Sequence, residues 1–183
     1  MDYREYFKGK KITVLGLGLL GRGVQDVAFL AECGAELIVT DKKIKEELTP
    51  SLERLKGFVN IKFVLGEHRL EDFRGIDFVL KAAGVPLDSP YIEEARKNNI
   101  PIEMDASLFQ KLAPEGVTIV GVTGTRGKST TAILIYEIVK TRIKNKELRI
   151  KGGVQGRVFL AGNIKDKATL PLLKEVNPPA GGG

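Results

Sequence analysis

The stretch GVTGTRGKSTTA, Gly121 to Ala132, leaves fewer folds open to this chain than any other part of it. An apolar, β-branched run, TIVGV, leads into it, and KSTTAILIYEIVKTRI follows with Ile133, Ile135, Tyr136, Ile138 and Val139 on broad apolar faces. Strand, glycine loop and helix in that order form a phosphate cradle, with Gly124 and Gly127 letting successive N–H groups converge on phosphate oxygens. Lys128 is placed to set its ammonium against β- and γ-phosphates, and the Ser129 hydroxyl to ligate Mg²⁺. The common spacing has a glycine where this chain has Val122. That residue falls at the strand end, where its side chain can enter the sheet, so the loop changes shape and keeps its chemistry.

A second glycine cluster precedes it by a hundred residues. Gly16-x-Gly18-x-x-Gly21 follows the strand-like run KITVLG and opens a helix with Val24, Val27, Ala28 and Ala31 at helical spacing. Gly34 is placed to end that helix in a left-handed turn. Asp41 closes the next run, ELIVTD, twenty residues beyond Gly21, where an acid commonly meets a ribose hydroxyl. The runs IKFVL, IDFVLKA and IPIEMD predict further strands, and SPYIEEARKNN a helix with Ser89 as N-cap, Pro90 in the first turn and Glu93–Arg96 support. ASLFQKL predicts one more helix, and GRVFLAGN one more strand. Strands alternating with helices predict an α/β fold: a doubly wound, Rossmann-like parallel sheet over residues 1–112, then the beginning of a P-loop α/β domain over residues 113–183. The boundary is set by Pro114 and Gly116 in LAPEGV.

Composition narrows the function classes. Of 183 residues, 43% are hydrophobic and 28% charged, as in ordinary soluble domains. No apolar run is long enough to span a membrane, and the start lacks a signal-peptide core. Cys33 is the single cysteine, which suits a reducing cytoplasm and reads as a packed thiol. Much of the net charge of +6 lies in KTRIKNKELRIK, which has no aromatic interleaving and reads as a solvated helix end and hairpin, not a nucleic-acid patch. His68 reads as a surface-turn residue, and Glu71 and Asp72 as solubilising acids. The tail VNPPAGGG reads as a linker or a cut. The residues alone leave three classes open: a nicotinamide-dependent oxidoreductase, a regulatory P-loop protein, and a non-catalytic nucleotide-sugar-binding fragment.

GVTGTRGKSTTA resembles the ATP-binding loop of the Mur ligases, and ITVLGLGLLGRG…LAECGAELIVTD with FVLKAAGVPLDSPYIEEARKNNIPI resembles the N-terminal domain of the D-glutamate-adding branch. The resemblance implies one loop for a uridine diphosphate substrate and one for ATP. It implies substrate contacts at Gly18, Leu19, Leu20, Asp41, Lys42 and Gly84, and at Asn163 in AGNI. It further implies ATP contacts at Gly124, Thr125, Arg126, Gly127, Lys128, Ser129 and Thr130, with Lys128 stabilising the transferring phosphoryl group and Ser129 on Mg²⁺. Ala82-Ala83 stands where the family has Ser-Pro, and Lys165 where it has glycine. The implied reaction joins D-glutamate to UDP-N-acetylmuramoyl-L-alanine through an acyl phosphate, in a cytoplasmic monomer. The family's further Mg²⁺ ligands and its C-terminal domain lie beyond the matched segments, so the expectation is a fragment without turnover of its own.

Overall fold

The computed structural model describes residues 2–18, 21–144, 156–162, 164 and 167–177. Five strands, β1 (Lys11–Leu15), β2 (Glu36–Asp41), β3 (Ile61–Leu65), β4 (Phe78–Lys81) and β5 (Ile102–Glu103), form one sheet in the order β3-β2-β1-β4-β5. Every pairing is parallel, with Thr13 opposite both Ile38 and Val79. The order reverses direction at β1, so the crevice between the ends of β1 and β4 is the switch point where such sheets take ligands.

Both faces of the sheet are covered, which makes it doubly wound. Ile12, Val14, Leu37, Val39, Phe78 and Leu80 point to the face shared with helices α2 (Arg22–Glu32) and α5 (Asp105–Leu112). Leu15 and Val79 point to the other, against Phe73 and helix α4 (Pro90–Lys97). The alternation follows from the two-residue period of a strand. Gly34 ends α2 at φ 80°. Ser89 caps α4, accepting from the Ile92 N–H, with Pro90 at the first helical position. The expected Glu93–Arg96 support is replaced by a hydrogen bond from Arg96 to the Leu87 carbonyl.

Two short helices escape the periodicity of the sequence. Helix α1 (Tyr3–Phe7) is capped by Asp2 and sets Tyr3 and Phe7 against Phe29, with ring centroids 5.4 and 5.9 Å apart. Helix α3 (Lys45–Glu53) runs through Pro50.

Beyond Leu112 the expectation meets a correction. TIVGV forms no strand, and Ile119 and Val120 are exposed. Nor do residues 156–162, the described part of GRVFLAGN, form one. A strand persists only where a neighbour satisfies its N–H and C=O groups, and the ladders among the described residues all belong to β1–β5. Helix α6 (Lys128–Lys144) does form, with no buried residue. The rest of KTRIKNKELRIK, beyond Lys144, lies outside the described residues, so the expected hairpin does too. The chain then returns to the first core: a 3-10 turn (Leu170–Leu172) and helix α7 (Leu173–Val176) bury Leu170 and Leu173 beside α2 and α5. No helix among the described residues is long and apolar enough to cross a membrane.

Candidate functional site

The first glycine loop leaves β1 at the switch point and enters α2. Gly16, at φ 92°, lets the chain turn where a side chain would meet the Ala82 Cβ at 3.2 Å. Gly18, at φ 70°, has open space around it. The closest approach belongs to a residue outside the G-x-G-x-x-G spacing: a Cβ on Gly23 would sit 2.1 Å from the Leu17 carbonyl oxygen. Gly23 thus performs the helix-to-strand packing that the motif assigns to its third glycine. The sequence signal was present as Gly21-Arg22-Gly23.

Asp41 holds this loop from the neighbouring strand. One carboxylate oxygen accepts the N–H groups of Leu17 (2.9 Å) and Gly18 (3.1 Å), and the other accepts that of Lys43 (2.9 Å). The side chain is buried. A carboxylate has about four acceptor positions, so three backbone donors leave it little capacity for a ribose hydroxyl. Lys42 beside it is exposed. Gly84 lies exposed in the turn after β4, with room for a side chain. That turn is closed by Lys81, whose buried ammonium donates to the carbonyls of Ala82 (3.1 Å) and Val85 (3.0 Å). Gly18, Asp41, Lys42 and Gly84 are therefore gathered at the carboxyl ends of β1, β2 and β4. Leu19, Leu20 and Asn163 lie outside the described residues.

The crevice at the switch point is a cleft of about 190 Å³, lined by Gly16, Gly18, Arg22, Asp26, Lys81 and Asp105 among others. Burial, and then the neighbouring Asp105, push the Asp26 carboxyl up to about 8, against the lowering effects of the Leu170 N–H and Arg22. Asp26 therefore holds its proton well above the usual carboxylate range, and Arg22 and Lys81 bring positive charge to the cleft. That balance admits an anion. Asp26 could have been found from the sequence as an acid beside Val24 and Val27 on the apolar side of its helix.

The P-loop segment stands apart from this cleft and is exposed. Gly124 and Gly127 take positive φ, 146° and 75°. Lys128 folds its ammonium back onto the Gly124 carbonyl at 2.5 Å, and the Thr131 N–H closes the first helical turn on Gly127 at 2.9 Å. Arg126, Ser129 and Thr130 are exposed around the open N-terminus of α6. A left-handed glycine, a returning lysine and a free helix start fit a polyphosphate and its Mg²⁺.

Two residues depart from expectation. His68 is half-buried, shares a 2.7 Å hydrogen bond between its Nδ1 and the Thr40 hydroxyl, and meets the Tyr91 ring edge-on; burial lowers its pKa. Asp72 is buried, gripped by two Arg69 bonds of 3.0 Å, while its carbonyl accepts from Thr13. Both were expected at the surface; Thr40 and Tyr91 draw His68 inward, and Arg69 together with the distant Thr13 holds Asp72. Glu71 is exposed and pairs with Arg69 at 3.4 Å. Cys33 is packed as expected, and burial pushes its thiol up to about 11. The native protein should therefore resist alkylation at pH 8 and react at the rate of a free thiol only in denaturant, as a timed thiol assay would read.

Residues 10–104 match the family described as Mur ligase MurD-like, N-terminal domain. The chain is 43% identical over 130 residues to the UDP-N-acetylmuramoylalanine–D-glutamate ligase of Treponema pallidum, covering 70% of this chain and 24% of that protein. It is 37% identical over 172 residues to the same-named ligase of a Roseiflexus species, covering 93% of this chain and 34% of that protein. A crystal structure of UDP-N-acetylmuramate-alanine ligase MurC from Thermotoga maritima aligns with a TM-score of 0.45 and 28% identity, over 72% of this chain and 29% of that one. The chain spans about a quarter to a third of the length of the curated relatives it matches.

Proposed function

Because this chain belongs to the Mur ligase MurD-like N-terminal domain family, we propose that its switch-point cleft binds a UDP-linked muramoyl precursor and that Gly124–Thr130 bind ATP. The reaction is the ligation of D-glutamate to UDP-N-acetylmuramoyl-L-alanine in the cytoplasmic synthesis of peptidoglycan. The observation that carries this reading is the glycine loop at the switch point, pinned by Asp41, in one chain with a second loop of P-loop form. A dehydrogenase would leave that second loop without a task.

In this reading the cleft orients the substrate. The loop and the N-terminus of α2 receive the diphosphate, with Arg22 and Lys81 supplying positive charge. Gly18 would lie along the nucleotide, and Asp41 would act by holding Leu17 and Gly18 in place, with Lys42 and Gly84 at the rim; Leu19, Leu20 and Asn163 are proposed as further substrate contacts on the family resemblance alone. On ATP binding, Lys128 would leave the Gly124 carbonyl for the phosphates, joined by the N–H groups of Thr125 to Ser129 and the Arg126 cation. Ser129 would ligate Mg²⁺, and Thr130 would stand beside it. ATP with Mg²⁺ supplies the phosphoryl group that activates a substrate carboxylate as an acyl phosphate. The chain's own residues hold and neutralise that group.

The test is calorimetric titration with UDP-N-acetylmuramoyl-L-alanine and, separately, NAD and ATP. Saturable binding of the UDP compound and of ATP, without NAD binding, is expected; NAD binding with no response to the UDP compound overturns the reading. Lys128→Ala should weaken ATP by about 10- to 150-fold, the loss of one charged hydrogen bond, and leave the UDP compound unaffected.

A further inference from the structure

The cleft has a wall contributed from far along the chain. Ile164 lines it, and the segment Lys167–Val176 just beyond is bound to α2 and α5 at several points. The Ala168 N–H donates to Gln25 Oε1 at 3.3 Å, the Thr169 hydroxyl to Asp105 Oδ2 at 3.1 Å, and the Leu170 N–H to Asp26 Oδ1 at 3.2 Å. Lys174 pairs with Glu32 at the outer end. Leu170 and Leu173 are fully buried between these anchors. Two of the three receiving side chains, Asp26 and Asp105, are buried and line the cleft themselves. Buried acids on the edge of an anion cleft are costly unless they are paired; Arg22 lies 4.0 Å from Asp105, and each of the two carboxyls also accepts a hydrogen bond from this one segment.

We infer that Gln25, Asp26 and Asp105 form a receptor for the segment Lys167–Val176, and act as positioning residues that hold Ile164 as a wall of the nucleotide-sugar cleft. The nucleotide-sugar part rests on the function proposed above; the docking itself does not. Ligand binding and docking are then linked, and the linkage is reciprocal: UDP lowers the equilibrium constant for opening of the segment by the factor by which docking tightens UDP. The receptor also makes docking sensitive to pH. Asp26 faces Arg22 from its own helix, Asp105 from α5, the Leu170 N–H from the segment, and Lys81 across the cleft. Burial raises its pKa by more than the Leu170 N–H lowers it, so releasing the segment, which hydrates Asp26 and removes that bond, leaves a lower pKa. The docked state therefore holds a proton that the released state gives up. Docking is strongest at low pH and weakens as pH rises toward and through about 8.

Hydrogen exchange read by mass spectrometry on the full chain tests this, with rates corrected for intrinsic pH dependence and UDP as probe. Protection of residues 168–173 should fall at least about tenfold between pH 6.5 and pH 9. Asp26→Asn, which keeps an oxygen for the Leu170 N–H but cannot ionise, should remove that dependence. Leu170→Ser should release the segment and weaken UDP by about tenfold, while β1 amides stay protected. Absence of protection in the wild-type chain, or unchanged UDP affinity once the segment is released, overturns the inference. Should Leu170→Ser unfold the domain, the pH profile of Asp26→Asn decides alone: a dependence equal to wild type overturns it. A wild-type chain that binds no UDP sinks the nucleotide-sugar reading, and the exchange profile still decides docking.

Discussion

Gly23→Ala should destabilise the domain by about 3 kcal/mol or more, since overpacking at a site that cannot relax reaches that size. For a chain of this length that is a fall in melting temperature of roughly 6–12 °C. The reason is contact, not backbone conformation. The added methyl would sit 2.1 Å from the Leu17 carbonyl oxygen, and that carbonyl cannot rotate away. The Gly18 N–H in the same peptide plane is held by Asp41, and the Leu17 side chain is buried in the core. The strain must push α2 off the sheet or the loop out of the cleft, so UDP affinity should fall with stability. Gly18→Ala is the matched control: it takes a positive φ in open space and should cost only about 1–2 kcal/mol. Thermal denaturation of both variants separates the two effects. Equal losses would show that loop conformation, and not the Gly23 contact, limits the site.

Asp41→Asn should be nearly as damaging, at about 2–4 kcal/mol, from the loss of hydrogen bonds to a charged acceptor. The aspartate serves three backbone donors with two oxygens. An amide has one acceptor oxygen. If that oxygen stays on Lys43, an NH₂ faces the N–H groups of Leu17 and Gly18; if it flips, Lys43 is orphaned. Either arrangement buries at least one unpaired donor. Asp41→Ala removes every acceptor and should be worse. The check is denaturant unfolding together with UDP titration: UDP binding should fall for both variants. Full stability in Asp41→Asn with lost UDP affinity would instead make Asp41 a direct ligand contact.

The sheet was legible because its signals are local. KITVLG, ELIVTD, IKFVL and IDFVLKA are short apolar runs, and each holds a strand. The caps of α4 and the left-handed end of α2 were readable for the same reason. What stayed hidden depends on partners far away. Tyr3–Phe7 is too short to show a helical period and is held by Phe29. Pro50 disguised α3. TIVGV has the composition of a strand, but composition cannot supply a neighbouring strand. In the site, Gly16, Gly18 and Asp41 were singled out by spacing, but Asp41 binds the loop backbone where a ribose contact was expected. Gly23 and Asp26 were passed over because an extra glycine and one acid within an amphipathic helix carry meaning only when the opposing surface is known.

The return of Leu170 and Leu173 to the first core has a consequence for how this chain is made. Their pocket lies between α2 and α5, which leave the ribosome well before them. At ~5–20 residues per second the pocket stays open for on the order of 3–12 s while the intervening residues are synthesised. During that interval the greasy flanks of Leu30 and Leu108 have water or a chaperone for company, and the nascent core is one piece short of complete.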